Sequence, residues 1–388
     1  MQNFVYDIPT KVYFGPDQLS HLGEELKKFG TRVLLTYGGG SIKKTGLYDR
    51  VVAEIERAGL TLFELSGIEP NPRITSVNKG VALCREHKID VLLAVGGGST
   101  IDATKFIGAG YYHDGDAWDL LSDKTPITNC LPIVTVLTLS ATGSEMDAGG
   151  VISNLETRDK IGRGHPAMRP KVSFLDPTAT YTVGPYQTAC GAADILSHLM
   201  ETYFNADGSL YMLDRMMEGL METVVHAAPV ALAEPENYEA RANLMWASSW
   251  AINGFTRTCQ TCEWSCHPME HELSAFYDIT HGLGLAILTP RWMEHVLDEE
   301  SAPHLARFAR SVFRVDAALP DREAAREGIA RLSAFLFDTL GLKSTFTALG
   351  IDDTHFAEMA KKACGGGVLQ GYRPLRPADV EAIFRACL

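Results

Sequence analysis

The first half of the chain repeats one pattern that limits what it can fold into: a short apolar run, a turn, then an amphipathic stretch of helical periodicity. TRVLLTY (31–37) leads through glycines to GLYDRVVAEIERAG (46–59), and TLFELSGI (61–68) leads through EPNP to ITSVNKGVALCREHK (74–88). IDVLLAV (89–95) leads through glycines to STIDATKFIGAG (99–110), and LPIVTVLT (131–138) and KVSFLDP (171–177) read as further strands. The runs do not alternate strictly between apolar and polar, as expected of strands covered by helices on both faces. Such a succession predicts a parallel α/β sheet.

After DPTATYTVGP (176–185) the texture changes. From about residue 186 nearly everything reads as helix, notably QTACGAADILSHLMETYF (187–204), YMLDRMMEGLMETVVHAAPVALA (211–233) and YEARANLMWASSWAING (238–254). EAAREGIARLSAFLFDTLG (323–341) and RPADVEAIFRACL (376–388) continue the pattern. A chain of 388 residues is long for one core. The expected architecture is an α/β domain with a Rossmann-like parallel sheet over 1–184, followed by an all-α domain over 185–388, with a ligand in the cleft between them.

Forty-eight acidic against 35 basic residues leave a net charge of −13. Such a surface repels a phosphodiester backbone, and there is no basic cluster with interleaved aromatics, so nucleic acid is not an expected partner. The apolar runs at 91–95 and 130–139 fall far short of the roughly 20 residues of a membrane helix. The start, MQNFVYDIPT, shows no basic segment backed by an apolar one, so no signal peptide is read and a cytoplasmic location is expected. Eight scattered cysteines suit a reducing compartment. Cys259, Cys262 and Cys266 lie just before His267 and could begin a zinc or iron–sulfur site, but a second ligand pair at short spacing is missing. They read as thiols flanking a site, with Phe255, Trp264 and Cys266 as candidate wall residues.

TYGGGS (36–41) and AVGGGS (94–99) each end a strand and open a helix. Glycine lets backbone N–H groups approach an anion, and a helix start adds roughly half a positive charge. Neither stretch is a full G-x-G-x-x-G, since Ile101 takes the third glycine position of the second. One such stretch is as readily a mere tight turn, but two at strand ends in one α/β half favour dinucleotide binding. A carboxylate just beyond the first strand would accept ribose hydroxyls and repel a 2′-phosphate. Here Gly38 to Ser41 are followed by Ile42, Lys43 and Lys44, so NADP(H) is expected over NAD(H), unless the lysines are a solvated helix start.

In DILSH, Asp194 and His198 stand four apart on one side of a helix. In HPMEHELSAFYDITHG (267–282), Pro268 suits a first helical position, which puts His267 at the helix edge and His271 about one turn inward. His281 follows the breaker-like YDIT and precedes Gly282. A carboxylate with two or three imidazoles from separate helices is a donor set for a divalent transition metal. The zinc-protease motif H-E-x-x-H fails from His271 because residue 275 is alanine. Spacing does not say which of these histidines are ligands.

These stretches together resemble the iron-containing (group III) alcohol dehydrogenases, in particular the NADPH-dependent butanol dehydrogenase and aldehyde reductase branch. The resemblance spans essentially the whole chain. It includes KVYFGP (11–16), TYGGGSIKKTG (36–46), GIEPNP (67–72), AVGGGSTIDATKFI (94–107) and LTLSATGSEMD (137–147), then DILSH, residues 267–282 and GYRPLRPADVEAIFRACL (371–388). It implies that Asp194, His198, His267 and His281 hold one divalent metal, Fe²⁺ in first place and Zn²⁺ as the alternative, and that His271 is a non-ligand histidine beside the substrate. It also implies a cofactor groove with Gly97, Gly98, Ser99 and Asp102 at the pyrophosphate and nicotinamide side, completed by Asn71, Thr138, Thr142 and Lys160. Gly39, Gly40 and Ser41 occupy the place where NAD-preferring relatives carry an aspartate. The cysteines exceed what the family motif requires and suggest sensitivity to oxidation.

The implied activity is hydride transfer between a nicotinamide and a short-chain primary alcohol or aldehyde of butanol or butanal type. A metal would make the alcohol more acidic or the carbonyl more electrophilic, and His271 would relay the proton. Homo-oligomeric association is expected. The rivals are a glycerol-type polyol dehydrogenase, a dehydroquinate-synthase-like lyase, and a non-catalytic metal- or nucleotide-binding regulatory relative. A lyase acting on a phosphorylated acid calls for cations near the metal, and residues 250–285 offer only Arg257. A regulatory relative is expected to lose a ligand or a glycine turn, and this chain keeps them.

Overall fold

The apolar runs of the first half become strands of one sheet in the computed structural model, which describes residues 3–122, 125–205, 210–258 and 262–388. The strands are β1 (Lys11–Phe14), β2 (Arg32–Tyr37), β3 (Thr61–Leu65), β4 (Val91–Gly96), β5 (Ile133–Leu137), β6 (Gly149–Asn154), β7 (Asp159–Gly164) and β8 (Val172–Leu175). Among the described residues β1-β8-β5-β4-β2-β3 form a parallel sheet, and β6 pairs antiparallel with β7. The helices of this half are α1 (Leu22–Lys27), α2 (Ser41–Lys44), α3 (Leu47–Arg57), α4 (Ile74–His87), α5 (Gly98–Gly110) and α6 (Asp119–Ser122). Val33, Leu35, Val91, Leu93 and Val95 pack with Leu22, Val51 and Ile55 on one face. The intervening Leu34 and Leu92 pack with Val77, Val81, Phe106 and Ile107 on the other. Both faces being covered is why these strands carry no polar alternation.

Three strands of this half lie outside the sequence expectation. β1 is an edge strand of four partly exposed or exposed residues, too short to announce itself by pattern. The β6–β7 hairpin begins and ends in glycine and is anchored from outside, the Ser153 amide donating to the Pro72 carbonyl at 2.8 Å. The glycine-bounded hairpin has low strand propensity at its ends and is held by neighbours.

The strand order reverses between β2 and β4. From β2 the chain steps outward to β3, then crosses back to β4 and continues through β5 to β8. Carboxyl ends of strands at such a switch point leave an open crevice, and the two ends concerned carry Gly38 to Gly40 and Gly96 to Gly98.

The helical half comprises α7 (Pro185–Tyr203), α8 (Tyr211–Ala233), α9 (Tyr238–Ile252), α10 (Cys266–Tyr277), α11 (His281–Val296), α12 (Ala302–Phe313), α13 (Asp321–Ala334), α14 (Phe356–Ala363) and α15 (Pro377–Ala386). α8 and α11 run on through Pro229 and Pro290. One core joins Leu199, Met217, Leu273, Leu288, Phe308, Phe356 and Phe384. The chain divides into two compact units, Asp7–Val183 and Gly184–Leu388, the latter including the N-terminal segment through Tyr6. The expected α/β domain had taken in that segment. It joins the helical unit instead because the Tyr6 ring packs edge-on against Phe255, centroids 5.6 Å apart. No helix among the described residues is long and apolar enough to cross a membrane.

The amino ends of β2 and β4 are stapled by Asp90. Its Oδ2 accepts the amides of Thr31 and Arg32 at 3.0 and 2.9 Å, and its Oδ1 takes the Arg32 guanidinium at 2.8 Å. A side chain at Gly30 would collide with the Asp90 side chain, so glycine admits this approach. The Arg32 hydrogen bond holds the Asp90 carboxyl down at about 2, against an ordinary 3.8. The stabilisation is therefore full above about pH 4 and lost as pH falls towards 2. Asp90→Asn is expected to lower unfolding free energy at neutral pH by on the order of 1 kcal/mol, after discounting for solvent screening. Its stability is expected to fall less than the wild type's between pH 4 and pH 2, measured by urea unfolding.

Candidate metal centre and nucleotide turns

Asp194 and His198 lie one turn apart in the buried middle of α7, His267 lies in the first turn of α10, and His281 is the first residue of α11. The Asp194 Oδ1 is buried and accepts no hydrogen bond among the described residues. Around it stand the Nε2 atoms of His198 at 3.6 Å, His281 at 3.7 Å and His267 at 4.0 Å. Asp194, His267 and His281 present donors within 4.8 Å of one another. Donors on one tetrahedral ion at bond lengths of about 2.1 Å stand roughly 3.4 Å apart, so Asp194, His267 and His281 fit a single divalent ion with slight closure. His198 faces the same Asp194 oxygen but stands outside that mutual group.

Glycines allow the helices this close. A side chain at Gly282 would run into the Cys190 carbonyl of α7, so a bare backbone there lets the start of α11 lie against α7. Two residues on, a Cβ at Gly284 would meet the Glu270 Cγ at 2.8 Å. The sequence HGLG (281–284) thus carries a ligand candidate and the space it needs.

Two buried carboxylates unnoticed in the sequence orient the rings. Glu201 accepts from His267 Nδ1 at 3.1 Å, and from the amides of His267 and Ser265 at 2.7 Å each. Glu270 accepts from His281 Nδ1 and from the Ser274 hydroxyl. A histidine whose Nδ1–H is given to a carboxylate keeps its Nε2 lone pair for a metal. Burial pushes the Glu201 carboxyl up to about 7, opposed by amide N–H groups at the start of α10. The missed signal was helical spacing, since Glu201 follows His198 by three residues and Glu270 follows His267 by three.

His271 stands beside the cluster, its ring centroid 5.8 Å from His281 and 6.4 Å from His267. Glu270, His271 and His281 also come within metal-binding reach. In that grouping, however, Glu270 is already the acceptor for His281 Nδ1. Trp264 lies against His267, centroids 4.4 Å apart, while Phe255 packs on Trp250 and Tyr6. Cys262 and Cys266 are buried, and burial raises both thiols above their ordinary value. The expectation of oxidation sensitivity is corrected for these two, because a buried protonated thiol is a poor nucleophile. Cys259 lies outside the described residues.

In the α/β unit the β4–α5 turn is tightly cradled. A Cβ at Gly98 would collide with the Thr142 side chain, and one at Gly97 would stand 3.2 Å from Leu139 Cβ. The Thr138 amide donates to the Gly96 carbonyl at 3.0 Å. Gly97, Gly98, Ser99, Thr138 and Thr142 thus come together. Asp102 lies one turn further into α5, where its carboxylate accepts from Ser144 Oγ at 2.5 Å and the Val151 amide at 2.9 Å. Buried Asn71, with left-handed backbone (φ 50°), and buried Lys160 lie on segments that the hairpin brings side by side, for Lys160 pairs with Ser153, whose amide binds the carbonyl of Pro72.

At the β2 turn, Gly40 has φ 97° and Gly39 faces open space. Ser41 opens α2 and is exposed. Lys43 is more than a solvated helix start. Its Nζ lies 5.1 Å from the Tyr37 ring centre and 4.4 Å from that of Tyr48. Both phenols donate to Glu64, at 2.8 and 2.7 Å, so the end of β3 supplies a carboxylate that local spacing does not reveal.

The family model for iron-containing alcohol dehydrogenases matches residues 9–177, and that for the C-terminal part of the same family matches residues 188–388. NADH-dependent butanol dehydrogenase A of Clostridium acetobutylicum is 50% identical over 387 residues, 99% of each chain. The NADPH-dependent aldehyde reductase YqhD of Escherichia coli is 38% identical over 373 residues, 95% of each chain. A crystal structure of a butanol dehydrogenase from Thermotoga maritima superposes with a TM-score of 0.95 at 37% identity, covering 100% of this chain and 99% of the other. The chain belongs to the iron-containing alcohol dehydrogenase family. It is an oxidoreductase acting on CH–OH donors, with alcohol dehydrogenase and aldehyde reductase activity.

Gly282→Ala is expected to force α11 away from α7 and draw His281 off Asp194. Metal affinity, read by chelator competition, should fall by about tenfold or more, and stability by about 1–3 kcal/mol.

Proposed function

We propose that Asp194, His198, His267 and His281 hold one divalent metal, and that the protein uses it to interconvert short-chain primary alcohols and aldehydes with a pyridine nucleotide. The observation that carries this reading is the convergence of three imidazole Nε2 atoms on a buried carboxylate oxygen that accepts no hydrogen bond among the described residues. One carboxylate and three imidazoles suit Fe²⁺ or Zn²⁺, and the family's name favours iron.

A bound divalent ion supplies Lewis acidity, making an alcohol oxygen more acidic or a carbonyl carbon more open to hydride. The chain's own residues do the rest. Glu201 and Glu270 hold the imidazoles of His267 and His281 in the tautomer that faces Asp194. Trp264 packs its ring against those of His198 and His267. His271 is the proton carrier for the substrate oxygen, a role supported by its place one turn beyond His267 and beside the cluster. The β4–α5 turn, with Thr138 and Thr142, seats the pyrophosphate, where glycine backbone and a helix start favour an anion.

His267→Ala should abolish metal retention and activity. His271→Ala should retain metal by elemental analysis while kcat falls by about 10²–10⁴-fold. Normal metal content in both variants would overturn the ligand assignment. Anaerobic assay of metal-loaded protein with butanal and dihydroxyacetone tests the substrate class, since a polyol enzyme would prefer the second.

The preference for NADP(H) is the finer part of the proposal and rests on the β2 turn, which itself carries no carboxylate to repel a 2′-phosphate, the neighbouring Glu64 being engaged by the phenols of Tyr37 and Tyr48. Relatives 50% and 46% identical are named as NADH-dependent and the one at 38% as NADPH-dependent, so overall likeness does not support the preference and the turn alone carries it. Gly39 faces open space without a left-handed backbone and accommodates a side chain. Gly39→Asp is expected to lower kcat/KM for NADPH by about tenfold or more while sparing NADH. An unchanged NADPH/NADH ratio would remove this turn from cofactor choice.

A further inference from the structure

Lys105 is a fully buried cation that the metal and nucleotide assignments leave without a role. It lies seven residues after Gly98 on α5, two turns along the same face. Its Nζ donates to Ser144 Oγ at 2.8 Å and to the Gly149 carbonyl at 2.5 Å. The Ser144 hydroxyl in turn donates to Asp102 Oδ1 at 2.5 Å. The Ser144 amide donates to the Thr142 hydroxyl at 3.2 Å, and Thr142 is the residue pressed against Gly98. The path from Gly98 through Thr142, Ser144 and Lys105 therefore returns to α5 and closes on itself. Burial pulls the Lys105 ammonium below its ordinary value, while Asp147, Asp102 and Glu145 push back. A buried cation amid those carboxylates is costly to strip of its partners.

We propose that Lys105 is a positioning residue for nucleotide binding, clamping the 138–149 segment onto the helix that carries Gly98 so that Thr138 and Thr142 stay aligned with the glycine turn. The proposal rests on the reading of that turn as the nucleotide seat. Lys105 touches no reacting atom, and it acts through Ser144 and the Gly149 carbonyl. The Arg169 guanidinium, on the Met146 carbonyl at 2.8 Å, and Ser173 Oγ, on the Glu145 carbonyl at 2.7 Å, tie the segment's middle to the sheet side. Lys105 ties its centre at Ser144 and its end at Gly149 to α5.

The test uses the full chain, with NADH and NADPH binding followed by fluorescence titration in the wild type, Lys105→Met and Ser144→Ala. Both variants should bind nucleotide more weakly, by about tenfold or more for Lys105→Met and about threefold or more for Ser144→Ala, with KM raised to match. Their kcat at saturating nucleotide and their metal content should stay close to wild type. Amide exchange should quicken over 138–149 and not over 185–388, a pattern that general loss of stability would not produce. Wild-type affinity in folded variants, or a fall in kcat at unchanged KM, overturns the proposal. Should Lys105→Met fail to fold, Ser144→Ala decides alone, because it keeps the ammonium on the Gly149 carbonyl. If the wild type binds neither nucleotide, the nucleotide reading itself has failed and the proposal falls with it.

Discussion

A buried carboxylate oxygen without a donor costs a protein on the order of 1–3 kcal/mol or more, and the helical unit is arranged around one that finds no donor among the described residues. The Asp194 Oδ1 lies in the middle of α7 with three imidazole nitrogens turned towards it. Helix packing ordinarily leaves 8–10 Å between axes, and a side chain at Gly282 would prevent α11 from lying against Cys190 of α7. The missing Cβ there brings His281 to Asp194. The missing one at Gly284 then lets Glu270 reach back to the same imidazole. Ligand candidates, their orienting carboxylates and the space they share come from three helices that each contribute a donor near a contact point.

The α/β unit solves a different problem. Its strands are covered on both faces, so polar function is confined to their carboxyl ends, where the strand order reverses and both glycine turns emerge. Loops at such ends are held by few neighbours unless something fastens them. Here a buried ammonium, a serine hydroxyl and a carboxylate do so, with Asp102 joining α5 to the hairpin through the Val151 amide. The second turn is organised by aromatic groups. Tyr37 and Tyr48 hold Lys43 on their faces and Glu64 on their hydroxyls, placing opposite charges within one small cluster beside Gly38 to Ser41.

Much of this was legible in the sequence because periodicity reports burial directly. The strands at 31–37, 89–95 and 131–138 announce themselves, as does α8, whose bounds coincide with the run 211–233. Asp194 and His198 share a helix face by simple spacing. What escaped were elements stabilised from outside, such as β1 and the β6–β7 hairpin, and carboxylates whose partners lie far along the chain. Glu201 meets His267 across 66 positions, and Glu64 meets Tyr37 across 27. Lys43 shows the same limit, since the sequence displays its charge and conceals the two rings that hold it.

The sequence by itself determined the class of fold, the strand-end position of the glycine turns and a pool of donors sufficient for a metal, because these follow from local periodicity and residue chemistry. The tertiary structure decided which atoms of that pool meet. It set His271 beside the cluster rather than around Asp194, directed Nε2 rather than Nδ1 at the carboxylate, and gave Lys105 to the 138–149 segment. Those outcomes depend on distances between segments far apart in the chain, and such distances exist only once glycine contacts and buried hydrogen bonds have set how closely the helices pack.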